Sequence, residues 1–442
     1  MKQSFLMLSL FFALTANAAV GEFRVGAAAV VITPPDGTPM AGYYRKRLSE
    51  GTLDDLYSKA VVFERDGVKA ALVVCDILTL PRHVIETARK LIEQQTGIRG
   101  EAVMIAATHS HTSPVVSGEN TRDKLDGGDT EPALKFTENL PKLIAQSVVE
   151  ANRKLALARG SATIAHEDGV SFNRRFWMRD GSVSWNPPKL DKNIIRPAGP
   201  IDAEVGFLYF DSPEARPITS VVNFALHSDT TGGQKFSADY MGHLSRLMAE
   251  YKGREMMTLF ALGACGNINH RDIAWADNQK GVAESFRIAS SLAGAINRSW
   301  VKLQPIDASK IQIRSEIVKL PTAPINDEDI AKANEVLKRL TDPQNDFHRT
   351  GKSLSGFGHR RPKKPPAGSR SPGHRAWQRR GVCFLARRSL CRTRHFDQKS
   401  FAVQTHDHRR TGKRFDWLHS EQVGLPRRPI RSHKRTLRRR IG

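Results

Sequence analysis

KAVVFERDGVKAALVVC, Lys59 to Cys75, places two apolar runs on either side of Arg65-Asp66-Gly67. Turn residues between two such runs are a hairpin signal. The period then changes. Val84, Ile85, Ala88, Leu91 and Ile92 recur at helical spacing and stop at Gly97, which predicts an amphipathic helix from Arg82 to Thr96. A strand is expected at residues 102–107 and mostly helix over 131–155. Strands follow at 204–210, 218–225 and 256–262, the last two separated by a helix over about 239–251. Phe286, Ala289, Leu292, Ala293, Ile296 and Trp300 mark another helix, and residues 327–340 a last one. Hairpins and strand-helix units mix without internal repeats. The expected class is therefore α/β, with mixed sheets and flanking helices, in a single large domain over residues 19–340.

At 442 residues the chain is long enough to bury a sizeable core. It begins MKQSFLMLSLFFALTANA, with a basic start at Lys2, an apolar run from Phe5 to Leu14 and a small-residue Ala16-Asn17-Ala18 site. That pattern reads as a secretory signal peptide over residues 1–18, so a secreted or periplasmic destination is expected. No later stretch approaches the roughly 18 apolar residues needed to span a bilayer, and a soluble product is expected. Cys75 and Cys265 sit in apolar, strand-like surroundings, where a buried free thiol is the commoner reading than a bridge.

The formal net charge of +23 would by itself point to nucleic acid or an anionic surface. Where the charge lies matters more than its size. Residues 341–442 hold 27 of the 68 Lys+Arg and 6 of the 45 Asp+Glu, whereas the preceding 340 hold 41 against 39 and are nearly neutral. This basic stretch also carries 8 of the 15 histidines, together with Cys383 and Cys391, and shows neither the helical nor the strand period. One reading is an irregular, low-order tail that binds nucleic acid or anionic lipid. The other is a stretch translated out of frame. RRSLCRTR, Arg387 to Arg394, can be written in synonymous codons that, shifted by one base, encode Gly-Glu-Val-Phe-Val-Glu-Leu-Gly. DWLHSEQVGLPRRP, Asp416 to Pro429, shifts likewise to Ile-Gly-Tyr-Ile-Pro and then Ala-Tyr-Pro-Glu-Gly. Several such segments in order favour the out-of-frame reading.

Three apolar strands end in polar clusters: THSH after residues 104–107, HSDTTGG after 221–226 and GACGNINH after 259–262. Loops held on rigid strand ends are where sites are usually built. Side chains at i and i+2 of an extended segment share a face, so His109 and His111 can address one cavity. Neutral imidazole suits zinc, and a catalytic zinc takes about three protein ligands plus an open position for water. His227 is the natural next ligand. Taken alone, however, an H-x-H pair is more often solvated than metal-bound, and His227 alone is as readily a satisfied core histidine. GACGNINH lacks the lysine of a phosphate-binding loop. The metallo-β-lactamase pattern H-x-H-x-D-H is excluded, since Ser113 stands where its aspartate belongs.

RVGAAAVVITPPDGTPMAGY from Arg24, AATHSHTSP, FNRRF, NFALHSDTTGGQKFSADYMG and ALGACGNINH occur in this order. As an ordered set they resemble the neutral/alkaline non-lysosomal ceramidase family, specifically its N-terminal catalytic domain, over roughly residues 24–340. The resemblance implies a zinc-dependent hydrolase of linear amides that splits N-acylsphingosine into sphingosine and fatty acid. It implies a lipid amide such as ceramide as partner, peripheral membrane contact and no nucleic acid. By the same resemblance His109 and His227 are the metal ligands. His111 lines the site as a catalytic residue that helps hold the scissile amide or its developing oxyanion, and Arg174 faces the polar end of the substrate.

The chain departs from the family pattern in two places. Where the family carries Gly-Asp-x-Ser-Pro-Asn, this sequence reads Gly266-Asn267-Ile268-Asn269-His270, with Asn269 at the serine position. An asparagine amide can donate to an oxyanion but cannot be a nucleophile, so Asn269 is a candidate catalytic donor and zinc-bound water the implied attacker. The family's other two zinc ligands, a glutamate and a tyrosine, come from segments reading roughly Pro-Gly-Glu-Val-Phe and Gly-Tyr-Ile-Pro. Those are the segments recovered in the shifted frame. In the chain as written neither residue stands there, and two histidines alone should hold zinc weakly and impair hydrolysis. The rival functions are an inactive secreted scaffold and a binder of anionic surfaces or nucleic acid through the tail, whose binding would be steeply salt-dependent.

Overall fold

Asp66 and Gly67 both take positive φ, 50° and 76°, the pair that lets a two-residue turn follow the twist of its strands. Around this turn a first sheet is assembled from β1 (Arg24–Val31), β2 (Tyr57–Arg65), β3 (Val68–Cys75), β4 (Val103–Ala107) and the short β5 (Ala156–Leu157), in the order β4-β3-β2-β1-β5. Neighbours β1, β2 and β3 are antiparallel. β3 and β4 are parallel, with Cys75 opposite Ala107, because α1 (Arg82–Thr96) returns the chain between them. α1 stops at Gly97, whose φ of 72° lets its N–H reach Glu93 O at 2.9 Å. α2 (Thr121–Leu125) and α3 (Glu131–Arg153) follow β4. The computed structural model describes residues 22–43, 45–118, 121–320, 326–341 and 377–382. The expected signal peptide and both shifted-frame segments lie outside the described residues.

β6 (Arg159–His166) opens the second half. An excursion of short strands follows: β7 (Phe172–Asn173), β8 (Arg175–Met178), β9 (Val183–Trp185) and β10 (Ile194–Pro197). The chain then runs through β11 (Glu204–Asp211), β12 (Pro217–Phe224), α4 (Asp239–Lys252), β13 (Met257–Leu262), β14 (Ile268–Asn269), α5 (Val282–Ser299) and β15 (Gln304–Pro305). The second large sheet has the order β13-β12-β11-β6-β15. Its β12 and β13 repeat the device of the first sheet: parallel, joined by a helix, with Phe224 opposite Leu262. Smaller sheets are β10-β8-β9 and β14-β7.

Alternate residues explain how the layers stack. Val61, Phe63, Leu72 and Val74 turn inward against Phe210, Val221, Leu259 and Ala261 of the second sheet. Ala60, Val62, Ala71 and Val73 turn outward onto Val84, Ala88 and Ile92 of α1 and Leu140, Ile144 and Val148 of α3. On the far face of the second sheet, Phe207, Val222, Phe224 and Phe260 pack on Tyr240 and Leu244 of α4 and Ile288, Leu292 and Ile296 of α5. The result is helix, sheet, sheet, helix, the α/β arrangement of mixed sheets with flanking helices. Central strands covered on both faces read as continuous apolar runs, which is why Lys59 to Cys75 does not alternate.

Cys75 and Cys265 are buried free thiols. Among the described residues no helix is long and apolar enough to cross a membrane. β16 (Ser315–Leu320) precedes α6 (Asp327–Thr341) and pairs antiparallel with β17 (Trp377–Val382). A strand thus stands in the basic stretch where the sequence shows no strand period. Pairing along an edge uses backbone groups and needs no apolar alternation.

Candidate metal centre

The two parallel pairs, β3-β4 and β12-β13, each send two loops out of the same sheet end. In open α/β sheets the crevice beyond the carboxyl ends of the strands is where ligands bind. Thr108 N–H bonds Cys75 O at 2.9 Å and His109 N–H bonds Ile77 O at 2.9 Å, so the loop after β4 is pinned to the loop after β3. Ser228 then ties the second sheet to the first: its carbonyl accepts from His111 N–H at 3.0 Å and its hydroxyl donates to Thr108 O at 2.6 Å. Arg47, buried, clamps the assembly by donating to Ala41 O, His111 O and Gly233 O at 2.7, 2.9 and 2.6 Å.

Within this frame His109, His111 and His227 converge. One ring nitrogen from each lies within 4.8 Å of the others. Ring centroids are 5.0 Å apart for His109 and His111, 4.7 Å for His109 and His227, and 4.8 Å for His111 and His227. The route to this convergence differs from the extended segment expected of Thr108 to His111. His109 has φ 64°, a left-handed conformation costing about 1–2 kcal/mol in a residue with a Cβ, and strain of this kind concentrates at functional sites.

Each imidazole is held from outside. His109 Nδ1 lies 3.0 Å from Leu78 O and His111 Nδ1 lies 2.9 Å from Gly42 O. His227 Nδ1 lies 3.8 Å from the Cys265 thiol. Carbonyl oxygens only accept, so each of the first two rings carries its proton on Nδ1 and, when neutral, presents the Nε2 lone pair inward. Burial pushes His227 down to about 3, with the charges of His111, His109 and Arg174 adding to the effect, so its imidazole is neutral at physiological pH. Gly42 is required by close approach. A Cβ there would stand 2.7 Å from His111 Nδ1, and its φ is +105°.

Of the other candidates from sequence, Arg174 and Asn269 belong to the same loop cluster. β14 pairs with β7, placing Asn269 opposite Phe172 and Ile268 opposite Asn173. Arg174 donates through Nε and Nη2 to Gly266 O at 3.1 and 2.7 Å, and its guanidinium lies 4.9 Å from the Trp185 ring centroid. Its charge acts on both His227 and Cys265. Asn269 is buried, giving one N–H to Asn186 Oδ1 at 2.7 Å and accepting from Arg271 N–H at 3.1 Å.

Sequence reasoning missed the polar group beside His111. The Tyr43 ring meets His111 edge-on at 5.7 Å, and its hydroxyl donates to Asp229 Oδ1. Lys280 Nζ reaches the Tyr43 oxygen at 3.0 Å and Asp229 at 3.4 Å. Burial works to raise the Asp229 carboxyl, but His111, Lys280 and the Tyr43 hydroxyl together hold it below the usual carboxylate range. Its position in His227-Ser228-Asp229 was the available signal. Leu78, whose carbonyl holds His109, also lines a cavity of about 160 Å³ with Ala41, Val115 and Val116, and Asp123 and Asp126 border it. A wider cavity of about 470 Å³, lined by Val68, Lys69 and Arg99 among others, opens at the opposite end of β3 and takes no part in the site.

Chemically, the neutral His227 imidazole and the anchored rings of His109 and His111 form a group that could hold a borderline-soft divalent ion such as zinc, with Arg174, whose charge reaches His227, as a polar group nearby.

No protein-family model and no curated protein matches the chain. Solved structures do. One is the neutral ceramidase from Pseudomonas aeruginosa, at 17% identity and a TM-score of 0.56, over 68% of this chain and 48% of that one. Another is a ceramidase complexed with C2, also at 17% identity and TM-score 0.56, over 68% of this chain and 47% of that one. The likeness shows a ceramidase-like fold, and this chain spans about half the length of those structures.

Proposed function

We propose that the chain is a metal-dependent hydrolase of a lipid amide, similar in chemistry to neutral ceramidase, with zinc as its ion and N-acylsphingosine as the test substrate. The observation that carries this reading is the convergence of His109, His111 and His227 at the carboxyl ends of two parallel strand pairs, inside a ceramidase-like fold. When bound, zinc lowers the pKa of a coordinated water towards about 7 and polarises the amide carbonyl.

The chain's own residues supply the rest. His109 and His227 present Nε2 inward with their outer nitrogens engaged by Leu78 O and Cys265. The second N–H of the Asn269 amide is the donor available to the developing oxyanion, since the first is committed to Asn186. Arg174, steadied by Gly266 O and the Trp185 face, offers a cation to the polar end of the substrate. The apolar wall of Ala41, Leu78 and Val115 beside His109 gives an acyl chain a surface to lie on. The signal-like residues 1–18 support action in the periplasm or outside the cell.

The test is metal analysis of the purified chain together with release of fatty acid from N-acylsphingosine, with and without chelator. Chelator-sensitive release that is absent from His227→Ala supports the proposal. A folded, zinc-replete protein that releases no fatty acid from any N-acyl lipid amide sinks it.

A further inference from the structure

We propose that the excursion of β7 to β10, with the loop after β14, is the face by which the chain docks on an anionic lipid surface. This rests on the lipid-amide reading above and names where the substrate is met: at the bilayer, through Trp185, Leu190, Ile195 and Trp275.

All four side chains are large and apolar, and among the described residues they stand exposed, Leu190 and Ile195 at 59% and 60%. The backbone beneath them keeps them there. Leu190 has φ 58°, a left-handed conformation that a bulky side chain rarely takes, and its N–H is tied to Ile273 O at 2.9 Å. Ile195 sits in the register shift between Ile194 and Arg196, where a bulge re-aims a side chain. Trp275 follows Ile273 by two residues, its indole donating to Asp277 Oδ2 at 3.0 Å, and Lys189 donates to Gln279 Oε1 at 2.9 Å. The turn of Leu190 and the loop of Trp275 therefore form one rim. Apolar side chains displayed on a strained turn and a bulge add little to the core, which points to a use outside the fold.

Charge and position say what meets this rim. Residues 172–197 hold six Lys+Arg against two Asp+Glu, whereas the first 340 residues as a whole are nearly neutral. Cations around exposed tryptophan and aliphatic side chains match the interfacial zone of a bilayer, where indole rings settle at headgroup level and anionic headgroups attract Lys and Arg. Apolar residues carried on separate turns give a protein partner no continuous groove, but each can enter a fluid surface. The rim is also continuous with the site. The Arg174 guanidinium lies over the Trp185 ring at 4.9 Å, and the next residue, Asn186, accepts from Asn269 at 2.7 Å. A lipid leaving the bilayer here emerges beside the residues assigned to its polar end.

The basic stretch after residue 340 will itself attract anionic lipid, so the test must read the rim locally. The full chain is mixed with phosphatidylglycerol vesicles whose acyl chains carry bromine, which quenches tryptophans that enter the bilayer. Quenching is expected in the wild type and should be largely lost when Trp185→Phe and Trp275→Phe are combined. At about 1 M salt, where charge is screened beyond about 3 Å, the remaining partitioning should fall at least about tenfold on combining Leu190→Asn with Ile195→Asn, which removes two apolar side chains. Asparagine accepts the left-handed conformation at 190, and circular dichroism establishes that each variant is folded. Equal quenching in the wild type and the tryptophan variant, or binding that salt abolishes in full, assigns the lipid contact to the basic stretch and overturns the proposal. Self-association in place of vesicle binding, weakened by Leu190→Asn, overturns it too, making this face an interface between copies. No turnover is measured, so a wild type that inserts at this rim yet releases no fatty acid keeps the docking face and loses the amide reading.

Discussion

His111 Nε2 and His227 Nε2 stand 2.9 Å apart across 116 residues of sequence, one on a loop of the first sheet and the other on a loop of the second. Burial pushes His227 down to about 3, so its imidazole is neutral, and the contact by itself is worth about one hydrogen bond. On the metal-dependent reading proposed above, an ion held by this cluster would add to that tie. Because the same contact joins the two sheets, metal should report on stability as well as on chemistry. At a free zinc concentration 100 times Kd the native state gains about 2.7 kcal/mol, which in a chain of this size raises the melting temperature by several degrees. Thermal melts of the wild type with zinc and with chelator should show that difference, and His227→Ala should show none. Equal shifts in both proteins would place the zinc elsewhere.

Cys265 touches the metal-facing histidine from behind. Burial pushes its thiol up to about 11, so it is no nucleophile at neutral pH, and it should resist thiol reagents until the chain unfolds. Its expected role is to hold His227 Nδ1 at 3.8 Å. Outer partners of metal-ligating histidines typically affect metal affinity by about 10–100-fold, and Cys265→Ala should fall in that range. Cys265→Ser, which keeps a hydrogen-bonding atom, should lose less. Matching zinc affinities for the alanine variant and the wild type would remove Cys265 from the account.

Gly42 offers a test of close approach with its own control. The Gly42→Ala substitution puts a Cβ 2.7 Å from His111 Nδ1 on a backbone with φ +105°, so the ring must move and metal affinity should drop at least about tenfold. Gly37 also has positive φ, +81°, but nothing lies within 4 Å of an added Cβ. Gly37→Ala should cost only backbone strain of about 1 kcal/mol and leave zinc binding intact. Titration of both variants checks this. A Gly42→Ala protein with unchanged affinity would show that the His111 ring is not held by that contact.

Much of the layered core was legible because its residues repeat at the periods helices and strands impose. The α1 helix falls where Val84, Ala88 and Ile92 put it, and the hairpin turns at Asp66-Gly67. β6, with only Gly160 and Ala165 buried, and the excursion of β7 to β10 had no such signature, since they are short or half exposed and are held by backbone pairing. The three histidines were legible as polar residues ending apolar strands. Their outer partners were not: Leu78 O and Gly42 O are main-chain carbonyls, and no side-chain type announces them. The left-handed turn at His109 was equally invisible, because convergence of the loops across two sheets forces it.

Asp76 ends the run after Cys75 and is buried, accepting from Tyr57 N–H at 3.1 Å. Burial pushes its carboxyl up to about 6, against the opposing pull of Lys59. The unfolded carboxyl titrates near 3.9, so the folded state holds this proton more tightly. Its contribution to stability is fully present below about pH 4 and is lost as pH rises through about 6, a difference of roughly 3 kcal/mol at neutrality. The substitution Asp76→Asn keeps an acceptor for the Tyr57 N–H without the charge, so this variant should match the wild type in urea unfolding near pH 4 and exceed it near pH 8. The gain at pH 8 will fall short of the full figure to the extent that Lys59, buried and donating to Thr258 O at 3.3 Å, loses a partner. The decisive quantity is the change between the two pH values. If wild type and variant shift in parallel, the Asp76 carboxyl is not the group that titrates.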